Sequence, residues 1–340
     1  MFSQGYALLI GVGCYEHAPE HNVPITVADT RALHEVIRDP QFCGYPTEQV
    51  TLLHEATATR AGILAALDDL AARTTANDTV LLFYSGHGWD ATDGTYYLTA
   101  HDTQFTPRSH LAQSKVVLDT GVSEHEFIEK LRAIPAQRVL VIINACYAGS
   151  LAPTLGESDP PVLGQPFPEH TSNALLSTGA GRIIMTACRE DQVSFIGPGS
   201  LTIFARALVD GLRGRGISSR HGYISAFDLY SHLYFAVTDV IEQGRYGRPQ
   251  EPELTVLKGV GPFAVSLYRG ASTLGDFAAD HDPAPDTAVR RVSQAQSKAA
   301  LEVSGDYIDA RNSQGFINRP SGTVNQHFGD VHGANPKKRR

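Results

Sequence analysis

The stretch Val139-Leu-Val-Ile-Ile-Asn-Ala-Cys-Tyr-Ala-Gly149 is the best guide to the fold of this chain. Its β-favouring residues from Val139 to Ile143 predict a strand that is buried on both faces. The strand delivers Cys146 into a segment of small residues, which leaves space for a ligand or a second backbone to come close. We therefore expect a buried strand that ends at a cysteine.

A second run, Val80-Leu-Leu-Phe-Tyr-Ser-Gly-His-Gly88, has the same shape and ends in a histidine between two glycines. Two adjacent parallel strands would bring His87 and Cys146 to the same edge of a sheet. A cysteine needs a nearby base or positive field to become a thiolate, and a histidine supplies both. The pair therefore predicts covalent acyl transfer, with Cys146 as nucleophile, His87 as base, and the N–H groups of Gly88 and Cys146 as oxyanion donors.

Each residue alone has an ordinary explanation. A buried cysteine at a strand end is usually a small hydrophobic side chain, and a histidine between glycines is usually structural or on the surface. Their joint occurrence at the ends of two apolar strands favours catalysis. Cys14, Cys43 and Cys188 lack this context, so we expect no catalytic role for them.

Strand and helix patterns alternate through the first 270 residues. This alternation predicts an α/β fold with a mostly parallel central sheet flanked by helices. We expect a turn around His87 after the third strand and a small hairpin at Thr95–Leu98 over the site. The predicted strands are Tyr6–Val12, Val50–Leu53, Thr79–Tyr84, Val139–Cys146, Arg182–Ala187 and Phe263–Tyr268, and the predicted helices are Thr26–Arg38, Thr59–Ala72, Ser123–Ile134, Leu201–Leu212 and Ala226–Ile241.

The composition changes twice along the chain. Residues 1–269 are expected to form one domain, which is interrupted by a proline-bearing exposed loop at 150–181. Small and polar residues at 270–300 predict a linker. Residues 301–340 are rich in glycine and asparagine and lack the bulk for a core, so we expect a non-globular tail. Its part at 301–330 is either disordered or adds a strand to the sheet of a regulatory partner.

The charge and residue content argue against several function classes. A net charge of −8 over 340 residues, with the one basic block at Lys337–Arg340, argues against nucleic-acid binding. No apolar stretch approaches the roughly 20 residues of a membrane span, and no secretory signal is recognisable, so we expect a cytoplasmic protein with reduced cysteines. The cysteines lack close metal-ligand pairs, and Asp90 with Asp93-Gly94 does not form an EF-hand pattern, so no metal or other cofactor is expected.

Two segments resemble the His-Gly and Asp-x-Cys-x-x-Gly signatures of the caspase and metacaspase cysteine peptidases, namely Tyr84-Ser-Gly-His-Gly88 and Asn144-Ala-Cys-Tyr-Ala-Gly-Ser150. The resemblance extends over residues 5–268 and implies the caspase-haemoglobinase fold. It implies the same catalytic and oxyanion residues as above and a division of the peptidase domain. That division is a large-subunit-like region at 1–149, the connecting loop at 150–181 and a small-subunit-like region at 182–269.

The resemblance also implies a substrate class. Metacaspases bind arginine or lysine with two acidic groups, one at the start of the first helix and one two residues before the nucleophile. Asp29 matches the first, with Thr26 and Ser85 as neighbours, but Asn144 occupies the second position. Caspases instead bind aspartate with arginines, and no arginine occurs between residues 11 and 30. We therefore expect an endopeptidase that cleaves proteins after Arg or Lys; a simple helix-start charge is the alternative role of Asp29.

The tail resembles short tails of bacterial caspase-like and defence-associated proteins, so a regulatory or antiviral defence role is expected. Calcium activates many metacaspases, but this sequence offers no recognisable site for it. Three alternatives remain open. The first is a catalytically idle caspase-like scaffold, the second is a peptidase with Asp specificity in which Arg189 binds the acidic side chain, and the third is a transferase or ligase that uses the same two residues.

Basic specificity would also limit self-cleavage. Residues 150–181 contain no lysine or arginine, so we expect no activating cut within that loop. Asp159 would be the site only under caspase-like specificity. Other basic candidates are Arg290-Arg291 in the linker, and Arg182 or Arg189 if they are exposed.

Overall fold

The computed structural model describes residues 3–107, 114–146, 181–189, 192–219, 222–256 and 263–268, with the backbone alone at Cys146 and Val256. The predicted loop at 150–181, except for its last residue, and the whole of the linker and the tail lie outside the described residues. The strands are β1 Gly5–Gly11, β2 Val50–His54, β3 Thr79–Asp90, β4 Tyr96–Leu98, β5 Val122–Ser123, β6 Arg138–Cys146, β7 Arg182–Thr186, β8 Tyr223–Ser225, β9 Glu253–Val256 and β10 Ala264–Leu267. The helices are α1 Ile25–Arg38, α2 Arg60–Arg73, α3 Glu124–Ala133, α4 Ile203–Leu212 and α5 Ala226–Gly244.

A mostly parallel sheet forms the centre of the fold. Its strand order is β2-β1-β3-β6-β7-β9, and only β9 runs antiparallel to its neighbour. Apolar residues on one face pack against α2 and α3, and those on the other face pack against α1, α4 and α5. The strands in the middle are covered on both sides, which is why their sequences are almost continuously apolar. The predicted α/β architecture is confirmed.

The pairing of β3 with β6 brings the two candidate catalytic segments together. The strands are parallel neighbours, and their register pairs Ser85 with Asn144 and His87 with Cys146. Because side chains alternate between the faces of a sheet, Ser85 and His87 belong to the same face, and so do positions 144 and 146 on β6. The prediction that both segments end at one sheet edge is confirmed.

The predicted turn around His87 is wrong. Strand β3 continues through the histidine to Asp90, and its last part pairs with the antiparallel strand β4. Neither Gly86 nor Gly88 has a positive φ. A Cβ atom at Gly86 would lie 2.6 Å from the hydroxyl of Tyr84, so this glycine permits close packing rather than a turn.

The short elements were harder to anticipate than the long ones. Strands β5, β8 and β9 have 2, 3 and 4 residues and were not predicted.

The expected capping box at the start of α3 is present, since the Ser123 hydroxyl accepts from the N–H of Glu126 and the Glu126 carboxylate accepts from the N–H of Ser123. It orients the helix that leads into β6.

Candidate active site

His87 lies where β3 leaves the parallel sheet, with its side chain almost completely buried. Its Nε2 atom is 2.8 Å from the carbonyl oxygen of His21 in the segment between β1 and α1. A carbonyl can only accept a hydrogen bond, so Nε2 carries the proton and Nδ1 carries the lone pair. Nδ1 is buried and has no hydrogen-bond partner among the described residues. The ring therefore presents a nitrogen in the state that a general base requires.

Burial governs the protonation of this ring. Loss of solvation lowers the pKa of His87 to about 4, the hydrogen bond to the His21 carbonyl opposes this shift, and the nearby His21 ring adds to it. The imidazole is thus neutral near pH 7. It can accept a proton when a negative charge forms beside it.

Aromatic rings surround the imidazole. The ring of Tyr15 is stacked against it with centroids 5.4 Å apart, and Trp89 meets it edge-on at 5.9 Å. Phe105 packs on Tyr15 and Trp89, and the Trp89 indole N–H donates to the carbonyl of Ser114 at 2.8 Å. These contacts exclude water from one side of His87 and restrict its rotation.

The backbone of β6 places Cys146 directly beside His87 in the parallel ladder. Hydrogen-bond directions on β3 indicate where Gly88 points. The backbone carbonyl of Ser85 accepts from the N–H of Val12, and that of His87 accepts from the N–H of Thr99. The backbone N–H and C=O groups of these alternate residues therefore face the side of β1 and β4. The N–H of Gly88 therefore faces the opposite side, along which β6 runs. In the ladder this N–H faces the paired strand, so it becomes available to an oxyanion only where the two strands separate.

A buried polar cluster lies two residues before His87 on β3 and two residues before Cys146 on β6, the pair called the dyad below. Asp29 of α1 is fully buried, and its Oδ2 accepts from the Ser85 hydroxyl at 3.0 Å and from Asn144 Nδ2 at 3.2 Å. Thr202, the N-cap of α4, donates its N–H to Asp29 Oδ1 and its hydroxyl to Oδ2, both at 2.9 Å. The cluster joins α1, β3, β6 and α4 at one point.

Enough hydrogen-bond donors surround the carboxyl group of Asp29 for it to hold a charge near neutral pH. Burial raises the pKa of its carboxyl to about 6, while the bonds from Thr202, Ser85 and Asn144 act in the opposite direction. Asn144 also lies 3.0 Å from the Thr202 hydroxyl, and its Oδ1 accepts from Ser194. The amide at position 144 thus donates towards the carboxylate of Asp29, which a second carboxylate would not do.

Thr26 is not connected to this cluster by a hydrogen bond. Its hydroxyl donates to the carbonyl oxygens of Val12 and Val23 at 2.8 and 2.9 Å. Its backbone carbonyl accepts from Thr30. The structure therefore brings Asp29, Ser85 and Asn144 together but gives Thr26 local bonds at the start of α1.

Two arginines considered from the sequence are already engaged. The Nε of Arg189 lies 3.4 Å from Oε2 of Glu251. Arg182 is buried, and its guanidinium donates to the carbonyl oxygens of Leu131 and Ile134 at the end of α3. Arg182 is thus not an exposed cleavage site, and the charge of Arg189 is partly neutralised.

The remaining cysteines with described side chains show no activated thiol. Burial raises the pKa of Cys43 to about 12, and burial together with Glu55 raises that of Cys14. Cys188 is buried beside the carbonyl of Gln192.

In the described part of the chain, no group of three or more His, Cys, Asp or Glu residues is arranged to hold a metal ion. Among the helices that the structure describes, we find no candidate for a membrane-crossing segment.

Sequence reasoning missed three residues of the site, namely Tyr15, His21 and Thr202. Each contacts a predicted residue from a distant part of the chain. One signal was available for the first two, because the segment after β1 must emerge at the same sheet edge as the segment after β3. Nothing in the sequence around Thr202 marks it beyond its suitability as a helix N-cap.

A family match and one solved structure agree with this architecture. The caspase domain family matches residues 4–257 of the chain. The crystal structure of caspase-1 from Spodoptera frugiperda is similar, with 15% identity, 79% of this chain and 92% of that chain covered, and a TM-score of 0.51. A structural-genomics protein from Geobacter sulfurreducens has 18% identity, 74% and 93% coverage and a TM-score of 0.48. No curated protein sequence is detectably similar. The chain belongs to the caspase domain family of cysteine peptidases.

Proposed function

We propose that this chain is a cysteine endopeptidase in which Cys146 is the nucleophile and His87 the general base. One observation carries the proposal. The imidazole is held through Nε2 by the His21 carbonyl, its buried Nδ1 has no partner among the described residues, and the ladder pairs His87 with Cys146. A neutral base beside the backbone of a cysteine has the arrangement that thiolate formation requires.

The proposed reaction has two halves. Nδ1 of His87 accepts the thiol proton of Cys146, and the thiolate attacks the substrate carbonyl. The N–H groups of Gly88 and Cys146 stabilise the oxyanion, and the imidazolium returns its proton to the leaving amine. Water then hydrolyses the acyl-enzyme with the same base. Because the ladder pairs His87 with Cys146, the strands must part at this last pair before a carbonyl can reach both amides.

We further propose cleavage after Arg or Lys. The buried carboxylate of Asp29 lies on the face of the sheet that carries Ser85 and Asn144, two residues before the dyad on each strand. Its oxygens are occupied by these partners and Thr202, so it acts on a substrate through its negative charge rather than by direct contact. Arg189, the cation considered for acidic substrates, is paired with Glu251.

Fluorogenic peptides that end in Arg, Lys or Asp before the scissile bond test both parts. We expect wild-type protein to cleave the Arg and Lys peptides and Cys146→Ala to cleave none. A preference for Asp would contradict the specificity but not the mechanism. Joined peptides would indicate a transferase or ligase, and an inert wild type that also resists thiol-reactive peptide probes would indicate an idle scaffold.

A regulatory or defence-associated role in a bacterial cytoplasm completes the proposal, with residues 301–330 as the segment that binds a protein partner. It rests on the resemblance of the tail to those of defence-associated proteins. A chain truncated after Ala300 should keep its peptide hydrolysis and lose partner binding. Equal capture of the same partner by both chains would contradict the role of the tail.

A further inference from the structure

The backbone of His87 needs partners that the sheet no longer supplies. The N–H of His87 faces the side of β1, but β1 ends at Gly11, and the carbonyl of the next residue, Val12, accepts from the hydroxyl of Thr26 instead. A buried N–H without a partner is unfavourable. The side chain of Tyr15 takes the place of the missing strand, because its hydroxyl accepts from the N–H of His87 at 3.2 Å.

The hydroxyl of Tyr15 continues into a closed ring of hydrogen bonds. It lies 2.9 Å from Oγ1 of Thr99, and Thr99 donates this hydroxyl to the carbonyl of His87 at 2.8 Å. Since Thr99 uses its own proton on the carbonyl of His87, the hydroxyl of Tyr15 donates to Thr99. The ring thus runs from the N–H of His87 through two hydroxyl groups back to its carbonyl, and each proton is used once.

Two further contacts reinforce this ring. The hydroxyl of Tyr84 lies 2.8 Å from the carbonyl of His87 and 2.8 Å from that of Thr99. The aromatic face of Tyr15 lies against the imidazole at a centroid distance of 5.4 Å and an angle of 24°. The side chain of Tyr15 therefore holds both the backbone and the imidazole of His87. Burial also raises the pKa of Tyr15, which keeps its proton in place.

We propose that Tyr15 is a positioning residue for His87, acting through the hydrogen-bond ring that it forms with Thr99. The hydrogen-bond ring fixes the peptide groups on either side of His87, and the stacked aromatic face of Tyr15 fixes the imidazole. Nε2 then stays on the His21 carbonyl and Nδ1 stays free to act as a base. The catalytic part of this inference rests on the proposed function.

Matched substitutions open the ring at different members. Tyr15→Phe removes one hydroxyl and keeps the stacked ring, Thr99→Val removes the other, and Thr99→Ser retains it. Thr74→Val is the control, because Thr74 is also buried and donates its hydroxyl to a carbonyl, that of Leu70 at the end of α2. That position is at the opposite sheet edge from the dyad.

With the arginine peptide, we expect Tyr15→Phe and Thr99→Val to lower kcat roughly 10- to 100-fold, as small displacements of a base do. KM should stay within about twofold, and Thr99→Ser and Thr74→Val should resemble wild type. Unchanged kcat in both ring variants would overturn the proposal, as would equal losses in Thr99→Ser and Thr99→Val. If one ring variant does not fold, the other still decides.

Nitrogen-15 NMR of the histidine rings tests the same inference without any substrate. The His87 signals are assigned by their loss in His87→Gln. We expect one tautomer, protonated at Nε2, in wild type, and a mixture with a pKa closer to 6.5 in Tyr15→Phe. Identical His87 spectra in the folded wild type and ring variants would overturn the positioning role. If wild-type protein cleaves no peptide, the proposed function fails, and this measurement still tests the ring.

Discussion

His87 and Asp29 are the two ionisable side chains whose burial matters most at the scale of single residues. Burial favours the neutral form of each, which lowers the pKa of His87 to about 4 and raises that of Asp29 to about 6. Their partners differ. Asp29 has donors on both oxygens, whereas His87 has an acceptor on Nε2 and, among the residues that the structure describes, no partner on Nδ1. The first pattern is suited to holding a charge, and the second to accepting a proton.

The lowered pKa of His87 predicts a pH dependence of stability. An imidazole in the unfolded chain titrates near 6.5, and His87 in the folded protein near 4. Between these values the unfolded chain binds the extra proton, so acid favours unfolding. When the pH falls from 7 to 4.5, the free energy of unfolding of wild type should decrease. The decrease in His87→Gln should be smaller by about 2 to 3 kcal/mol. Urea unfolding at both pH values measures this, with the exposed His125→Gln as control; equal acid dependence in wild type and His87→Gln would contradict it.

At Asn144 the sequence has an amide where the resemblance to metacaspases implies a carboxylate, and the contacts of this side chain favour the amide. Its Nδ2 lies 3.2 Å from the buried carboxylate of Asp29. In Asn144→Asp two buried carboxyl groups would face each other, and the donor would be lost. We expect a loss of about 3 kcal/mol in the free energy of unfolding at pH 7, partly recovered in acid when the pair shares a proton. Chemical denaturation measures it against the exposed Asn77→Asp, and equal stability of the two variants would contradict it.

At the scale of elements, the long apolar runs were sufficient to predict the sheet. Strand β6 needs no other information, since residues 139–145 are buried on both faces. The path of β3 beyond Tyr84 was not predictable, because it depends on pairing with β4 across an intervening turn. The same holds for the hydrogen bond from His87 to His21, which joins residues 66 positions apart. Residue types therefore indicated His87 and Cys146 as candidates, while the contacts that hold His87 required the folded arrangement.

Arg182 connects two elements on which the dyad depends. At the start of β7, beside β6, it donates to the carbonyl oxygens of Leu131 and Ile134 at the end of α3. A buried cation is favourable there because it satisfies carbonyls that the helix leaves unpaired. Arg182→Met should lower the free energy of unfolding by about 2 to 3 kcal/mol. Thermal and chemical unfolding would measure this, with the exposed Arg132→Met as control; similar stability of both variants would rule the account out.

At the scale of the whole molecule, the distribution of basic residues predicts an enzyme that works as an uncut chain. Between Arg138 and Arg189 the sequence contains a single lysine or arginine, Arg182, and that side chain is buried. An Arg- or Lys-specific peptidase therefore has no exposed site there. Incubated active protein should show no cut between residues 139 and 188 by mass spectrometry, and any self-cleavage should follow Arg290, Arg291 or the exposed Arg189. A fragment that ends at Asp159 in wild type but not in Cys146→Ala would contradict basic specificity.

The pairing of His87 with Cys146 is the central feature of the whole account. A peptide chloromethylketone with arginine next to the reactive group tests it directly, because the reagent alkylates an activated nucleophile that binds basic substrates. A mass increase of one inhibitor molecule, less its chloride, should appear on the protein fragment that carries Cys146. Labelling should be lost in Cys146→Ala and strongly slowed in His87→Gln. An adduct on Cys14, Cys43 or Cys188 instead, or equal labelling of wild type and His87→Gln, would contradict the assignment of the dyad.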